Sequence, residues 1–402
     1  MSGQEDAISS DGGTELRAAM GWPGWTRPTW GRLLLFGLAT RVVVVLLGLL
    51  LARVGPRGTM VAQEQTVAEG KHDFDAEGAW SVNARSWIEP WYHFDALWYA
   101  HTSERGYAYT PGRASSIAFL PLLPLIMQTG EAVGLDHFWV GLIVPNLAFA
   151  LGLAAFGRVA LRVTEDAGTA WKSCLLLTAY PWSFFFSCPY QESLAFALTA
   201  GAILAWQDRR PSASALALAA ATTARLAAVA VSAAILAEWA HDLARRRPSR
   251  QAAWLVALAG PCGFGLFAAY CYWKFGDPLV HLKGHQAWKR QPASLVNVLR
   301  MLSPGPSGLK NYAVMILFLG LGIRTTIKRG PFWGCLVLVP VLMGMASGTR
   351  MSMTRITLTS FPAFIDVAEL LRGRAAPAAV IVASILLQAY FIYMHVNRVF
   401  VA

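Results

Sequence analysis

The densest chemistry in this chain lies between residues 87 and 125, in WIEPWYHFDALWYAHTSERGYAYTPGRASSIAFLPLLPL. Asp95 stands there among Trp91, Tyr92, Phe94, Trp98 and Tyr99. A carboxylate among aromatic rings at a membrane surface is costly unless it has a task or a partner. If the stretch is helical, Trp91, Asp95 and Trp98 share one face by i, i+4 and i, i+3 spacing. Laid along the bilayer surface, that face would hold Asp95 over a lipid-borne substrate. The same pattern fits an interfacial amphipathic helix whose Asp points at water. A second cluster, YPWSFFFSCPYQES over 180–193, sets Tyr190 and Glu192 between two apolar runs. Carboxylates at a membrane edge are functional candidates. The competing reading is a tight hairpin in which Glu192 caps the next helix.

Cations that could meet an anionic substrate follow. Arg225 is alone in a long Ala-rich apolar stretch, where a guanidinium needs an anion or a wet cavity. Phosphate suits its bidentate fork, and Glu238 is the alternative, structural partner. The segment WKFGDPLVHLKGHQAWKR, 273–290, offers a cationic and aromatic patch suited to phosphate and sugar, with Lys283, Gln286, Trp288 and Arg290. His281 and His285 fall at i, i+4, but no third ligand is in register, so no metal site is assigned and metal dependence stays open. In TRITLTSFPAF, Arg355 is either a second phosphate ligand or an interfacial snorkeller.

Apolar elements must position these residues. Of the 402 residues 55% are hydrophobic and 14% charged, against about a quarter charged in soluble domains. Apolar runs recur at 32–54, 116–133, 138–161, 171–188, 190–207, 212–243, 251–275, 309–328, 331–348 and 376–398. Most approach the ~20 residues that cross a bilayer. The fold class expected is all-α and polytopic, with about nine to eleven transmembrane helices. Residues 1–30 read as a polar, disordered cytoplasmic N-terminus and 31–402 as one multi-span membrane domain. Trp22, Trp25 and Trp30 fit an interfacial anchor, and the first span reads as an uncleaved signal anchor. Two long polar connections, 55–115 and 276–308, are expected outside the cytoplasm.

The net charge of +11 sits in clusters between apolar runs, such as Arg245, Arg246, Arg247 and Arg250. That is the positive-inside pattern of cytoplasmic loops rather than a nucleic-acid surface. The middle of the chain leaves two topologies open. Either 116–133 spans and 212–243 is one pass, which puts Tyr190 and Glu192 near the cytoplasm. Or 116–133 only dips in, with Pro121 and Pro124 breaking it, and 212–243 breaks near Arg225. The second reading is preferred, because it also places Arg158, Arg162, Lys172, Arg209 and Arg210 inside. The five cysteines show no ligand or disulfide spacing and read as packing residues. No GxGxxG, P-loop or GxSxG occurs, so nucleotide-sugar, ATP and serine-hydrolase chemistry find no support.

Taken in order, FDALWYAHTSERGY with AFLPLLP, YPWSFFFSCPYQESL, Arg225, WKFGDPLVHLKGHQAWKR, and Arg355 before Phe361 and Pro362 resemble a known family. The chain is similar to the PIG-V-type mannosyltransferases, the GPI mannosyltransferase II family and its bacterial relatives, among the GT-C glycosyltransferases. It departs where the family usually has Trp before the first-loop Asp; here Phe94 follows His93. The usual Phe-Phe-Pro-Leu-(Tyr/Phe)-Pro is Phe119-Leu120-Pro121-Leu122-Leu123-Pro124. Both departures bear on acceptor recognition more than on the fold. The resemblance implies inverting transfer of mannose from a polyprenyl-phosphate donor to a lipid, glycolipid or other acceptor hydroxyl on the extracytoplasmic face. It implies Asp95 as general base, and Arg225, Arg355 and the 283–290 patch on the leaving phosphate. Tyr190 and Glu192 would shape the sugar pocket, with His93 and Tyr99 among the substrate contacts. The setting expected is a bacterial plasma membrane, or the endoplasmic reticulum in a eukaryote. No cofactor is firmly implied. The alternatives are a lipid-linked sugar flippase or transporter, a ligase or polymerase of lipid-linked glycans, and a non-catalytic scaffold. A transporter should carry substrate-lining charges in several spans and repeat symmetry, and neither is visible.

Overall fold

The computed structural model describes residues 26–55, 87–248, 252–288, 290–303 and 308–401. Trp22, Trp25, Arg250 and Lys289 lie outside the described residues. Sixteen α-helices and no strand occur among those described: α1 (Trp30–Val54), α2 (Asp95–Arg105), α3 (Leu122–Ala132), α4 (His137–Thr164), α5 (Ala167–Ala179), α6 (Glu192–Gln207), α7 (Pro211–Ala224), α8 (Ala230–Ala244), α9 (Ala253–Phe275), α10 (Val280–Gly284), α11 (Leu295–Met301), α12 (Leu309–Arg329), α13 (Pro331–Ala346), α14 (Met353–Ile356), α15 (Ala363–Leu370) and α16 (Ala375–Val396). Lipid offers no hydrogen bonds, so an all-helical chain is what a membrane core demands. Among the described residues five stretches are long and apolar enough to cross a bilayer: α1, α4, Leu226–Ala244, α9 and α16. α13, with 16 residues, is shorter than that measure, and α12, with 21, is long enough but less apolar. The chain is a polytopic, all-α integral membrane protein.

α1 and α4 run antiparallel. Gly37 meets Ala150 and Gly157 meets Leu33, glycines that let the two helices approach closely. At one end of the bundle a group of basic residues gathers. Arg162 pairs with Asp208 at 2.5 Å, and Lys172 Nζ donates to Ala368 O at 2.8 Å and Leu371 O at 3.0 Å. Lys328 and Arg329 meet Glu369, and Arg324 meets the fully buried Asp366. At the other end Gly48 of α1 lies against the Trp91 ring, so residues 87–115 sit opposite the basic end.

The middle of the chain has a short helix and a break. α3 has only 11 residues, about 16 Å at 1.5 Å per residue, half of a ~30 Å hydrocarbon core. The long apolar stretch breaks where Arg225 takes an extended backbone, φ −147° and ψ 127°. Gly260 of α9 lies against both Leu218 of α7 and Ser232 of α8. These flank Arg225 at equal spacing, so the chain folds back on itself there. A short helix within 116–133 and a break near Arg225 are two local features that the preferred reading assumes.

Candidate active site

Residues 180–191 form an irregular, fully buried link between α5 and α6. Buried irregular backbone must have its polar groups satisfied, and side chains from distant helices do this. Gln388 Nε2 donates to Thr178 O at 3.1 Å and Tyr180 O at 2.8 Å. Arg41 Nη1 donates to Ser183 O at 2.9 Å and Asn146 Nδ2 to Ser187 O at 3.2 Å, while the link's own Gln191 donates outward to Leu120 O. The link is thereby held so that Tyr190 and Glu192 face Asp95.

Arg355, on the short helix α14, ties the two carboxylates together. Its Nη2 lies 2.5 Å from Asp95 Oδ2 and its Nε 2.5 Å from Glu192 Oε1. Arg225 Nη1 takes the same Glu192 oxygen, made available by the break between α7 and α8. The Arg355 guanidinium also stacks over the Tyr190 ring, 5.0 Å from its centroid. Burial works against the Arg355 charge, but Asp95 and Glu192 more than offset it and hold its pKa well above the ordinary value. Arg290 lies within electrostatic reach of Arg355, Arg225 and Asp95. Burial, then those two arginines, lower its pKa to about 10. Tyr99 borders the cluster; burial, then Glu192 and Asp95, raise its pKa and keep the phenol neutral. Three guanidinium groups thus face two carboxylates. The arrangement has an acid–base group in Asp95 and one positive charge in excess, the electrostatics of a site for an anion that gains charge.

An aromatic wall stands beside Asp95. Trp98 stacks on Phe119 at 5.4 Å, and Trp288 meets both edge-on, at 5.5 and 5.6 Å. Trp288 and Arg290 therefore bring the second polar connection onto the first.

The expected substrate-binding residues separate into two groups. Asp95, Tyr99, Tyr190, Glu192, Arg225, Arg290 and Arg355 converge, with Trp288 at their edge. Lys283 is half-exposed and spent on Asp277 at 2.5 Å, and Gln286 is exposed. The His93 ring is buried against His395, and only its carbonyl serves the site, accepting from Tyr190 Oη at 3.1 Å. Glu192 stands in the first turn of α6 but makes no capping hydrogen bond, Gln191 being the N-cap, and its carboxylate is turned to the arginines instead. Glu238 is taken by Trp206 Nε1 at 2.9 Å rather than by Arg225. His281 uses Nδ1 on Ile117 O at 2.8 Å. Among the described residues no group of three His, Cys, Asp or Glu comes together to hold a metal ion.

The helical face shared by Trp91, Asp95 and Trp98 is corrected. Trp91 ends a 3₁₀ turn, Glu89–Trp91, and α2 starts only at Asp95. Nor is α2 interfacial, because Ala96 to Ser103 are all buried in protein. Sequence reasoning also passed over Arg41, Asn146 and Gln388. Arg41 carries a signal that could have been found: it stands in the middle of the apolar run of α1, away from Arg32 and Arg53 at its ends, where a cation marks a needed partner. An apolar groove of about 500 Å³ lies elsewhere, between α3 and the start of α4, lined by Ile126, Trp139 and Val140 among others and by none of the site residues.

Residues 30–278 match the family model described as Mannosyltransferase (PIG-V). That is more than half of the chain, which belongs to this family and is a mannosyltransferase of the membrane. No match to an individually curated protein accompanies it.

Proposed function

We propose that this PIG-V-family mannosyltransferase, of the GT-C type, moves mannose from a polyprenyl-phosphate carrier to the hydroxyl of a lipid-linked acceptor, with inversion. The observation that carries the proposal is the bridge Asp95–Arg355–Glu192–Arg225 with Arg290 beside it. Asp95 takes the acceptor hydroxyl proton as that oxygen attacks the anomeric carbon. The bond from that carbon to phosphate breaks, and its electron pair leaves on the polyprenyl phosphate. The phosphate gains a negative charge in this step, and the guanidinium cluster stabilises it more than the donor ground state. Tyr190 and Tyr99 wall the sugar, and the Trp98–Phe119–Trp288 surface lies toward the acceptor. Its position opposite a basic end of the bundle supports an extracytoplasmic site. A lipid donor explains the lack of any nucleotide-binding motif, since it needs only an apolar path and a cationic phosphate site.

The test is transfer of radiolabelled mannose from polyprenyl-phosphate mannose in membranes expressing the chain, wild type beside Asp95→Asn. Transfer that disappears in the variant at equal protein level is the expected result. Transfer equal in both proteins would overturn the role of Asp95. No transfer above empty membranes, with several acceptor extracts supplied, would overturn the polyprenyl-phosphate donor and point to a different one.

A further inference from the structure

The residue before Asp95 has a backbone that its side chain does not suit. Phe94 sits at φ 54° and ψ −120°. That region belongs to glycine at the first central position of a type II′ turn, and a β-carbon there is strained. Strain at one residue is kept only when its surroundings over-determine it, and such residues gather at functional sites. Here the surroundings come from the far end of the chain. The Phe94 ring packs against His395 at 5.6 Å and, edge to face, against Phe400 at 5.3 Å. Arg398 Nη2 bonds Glu89 Oε1 at 2.8 Å, fixing the run 89–94 at its start. Tyr190 Oη holds the His93 carbonyl, and that carbonyl in turn accepts from Ala96 N at 3.2 Å as α2 begins. The segment after α16 is itself anchored, because Val401 O accepts from Lys310 Nζ at 2.6 Å and Trp182 Nε1 at 3.3 Å.

We propose that Phe94 is a positioning residue: its ring, gripped by His395 and Phe400, holds the strained turn that aims Asp95 into the guanidinium cluster. Glycine would give the same φ without strain but would leave nothing for the 395–400 segment to grip. The direction of the Asp95 side chain follows from the two dihedrals before it, so a relaxed Phe94 displaces the carboxylate without removing it. This rests on Asp95 being the base. A misplacement of about 1 Å at a reacting group lowers turnover by up to about 100-fold. Donor affinity, set by the arginines, would change little.

The experiment measures kcat and donor KM for mannose transfer from polyprenyl-phosphate mannose, in membranes, for wild type, Asp95→Asn, Phe94→Gly, Phe94→Tyr and Phe400→Ala. Phe94→Gly is expected to lower kcat at least about tenfold with KM within about twofold. Phe94→Tyr keeps the ring and should restore most of the turnover. Phe400 is 46% exposed, so Phe400→Ala accumulates normally and should lower kcat in the same direction. Should Phe94→Gly fail to accumulate, Phe400→Ala decides the matter alone. Wild-type kcat in Phe400→Ala, or in Phe94→Gly, with Asp95→Asn inactive would overturn the positioning role and leave the base in place. Activity in Asp95→Asn would instead overturn the reading on which it rests.

Discussion

Replacing Glu192 by Gln keeps the shape of a fully buried side chain and removes the charge that two guanidinium groups share. Breaking a buried ion pair from one side costs about 3–5 kcal/mol, because the remaining charge is left uncompensated. Arg225 is 17% exposed and Arg355 keeps Asp95, so the low end, about 3 kcal/mol, applies. Unfolding entropy near 2.1 cal/mol/K per residue gives about 0.8 kcal/mol/K for 402 residues. The midpoint of thermal unfolding should therefore fall by about 4 °C. Arg225→Met is milder, about 2 °C, because Glu192 retains Arg355. The double variant removes the charge that Glu192→Gln strands, and should lose about 4 °C rather than the sum. Intrinsic tryptophan fluorescence of the detergent-purified protein during heating reads all three. Additive losses within about 0.5 kcal/mol, or a larger loss in Arg225→Met than in Glu192→Gln, would refute the shared-charge reasoning.

Two further outcomes follow from the same geometry. Arg290→Gln should raise the donor KM by roughly 10- to 100-fold, the worth of a charged hydrogen bond. Lys283→Gln, on a half-exposed side chain spent on Asp277, should change it by less than about twofold; equal effects in saturation kinetics would refute that division of the 283–290 patch. For pH, burial lowers the pKa of both His93 and His281 to about 4. The unfolded chain protonates these groups near 6.5, so between about 6.5 and 4 it binds more protons than the folded one and stability is lost as the pH is lowered. The thermal midpoint should drop between pH 7 and 4.5, and His93→Phe should flatten that slope. An unchanged slope would place the titration elsewhere.

Much of the site was legible because its residue types are out of place in a membrane protein. Asp95, Glu192, Arg225 and Arg355 each stand in aromatic or apolar surroundings where a charge needs a reason. Arg290 was legible only as part of a cationic run; the run did not say that Lys283 turns to Asp277 while Arg290 turns inward. Arg41 and Gln388 were legible as polar residues in apolar helices, but their partners are carbonyls some 140 to 210 positions away. The helical reading across Trp91, Asp95 and Trp98 failed because periodicity assumes ordinary backbone at every position. Phe94 breaks it, and nothing in the identity of a phenylalanine announces a positive φ.

The sequence by itself determined that the chain is helical, crosses a membrane many times and clusters many of its basic residues between apolar runs. Apolar composition, run length and charge placement are additive along the chain, and lipid permits few other solutions. It also determined the family, through the order and spacing of short motifs. Only the tertiary structure decided that the chain folds back at Arg225, that Arg355 joins Asp95 to Glu192 across 260 positions, and that the 395–400 segment grips Phe94. These depend on where helices cross and on which buried charges find one another. That is a property of the packed whole, because a buried ion is stable only beside a partner that no local window of sequence contains.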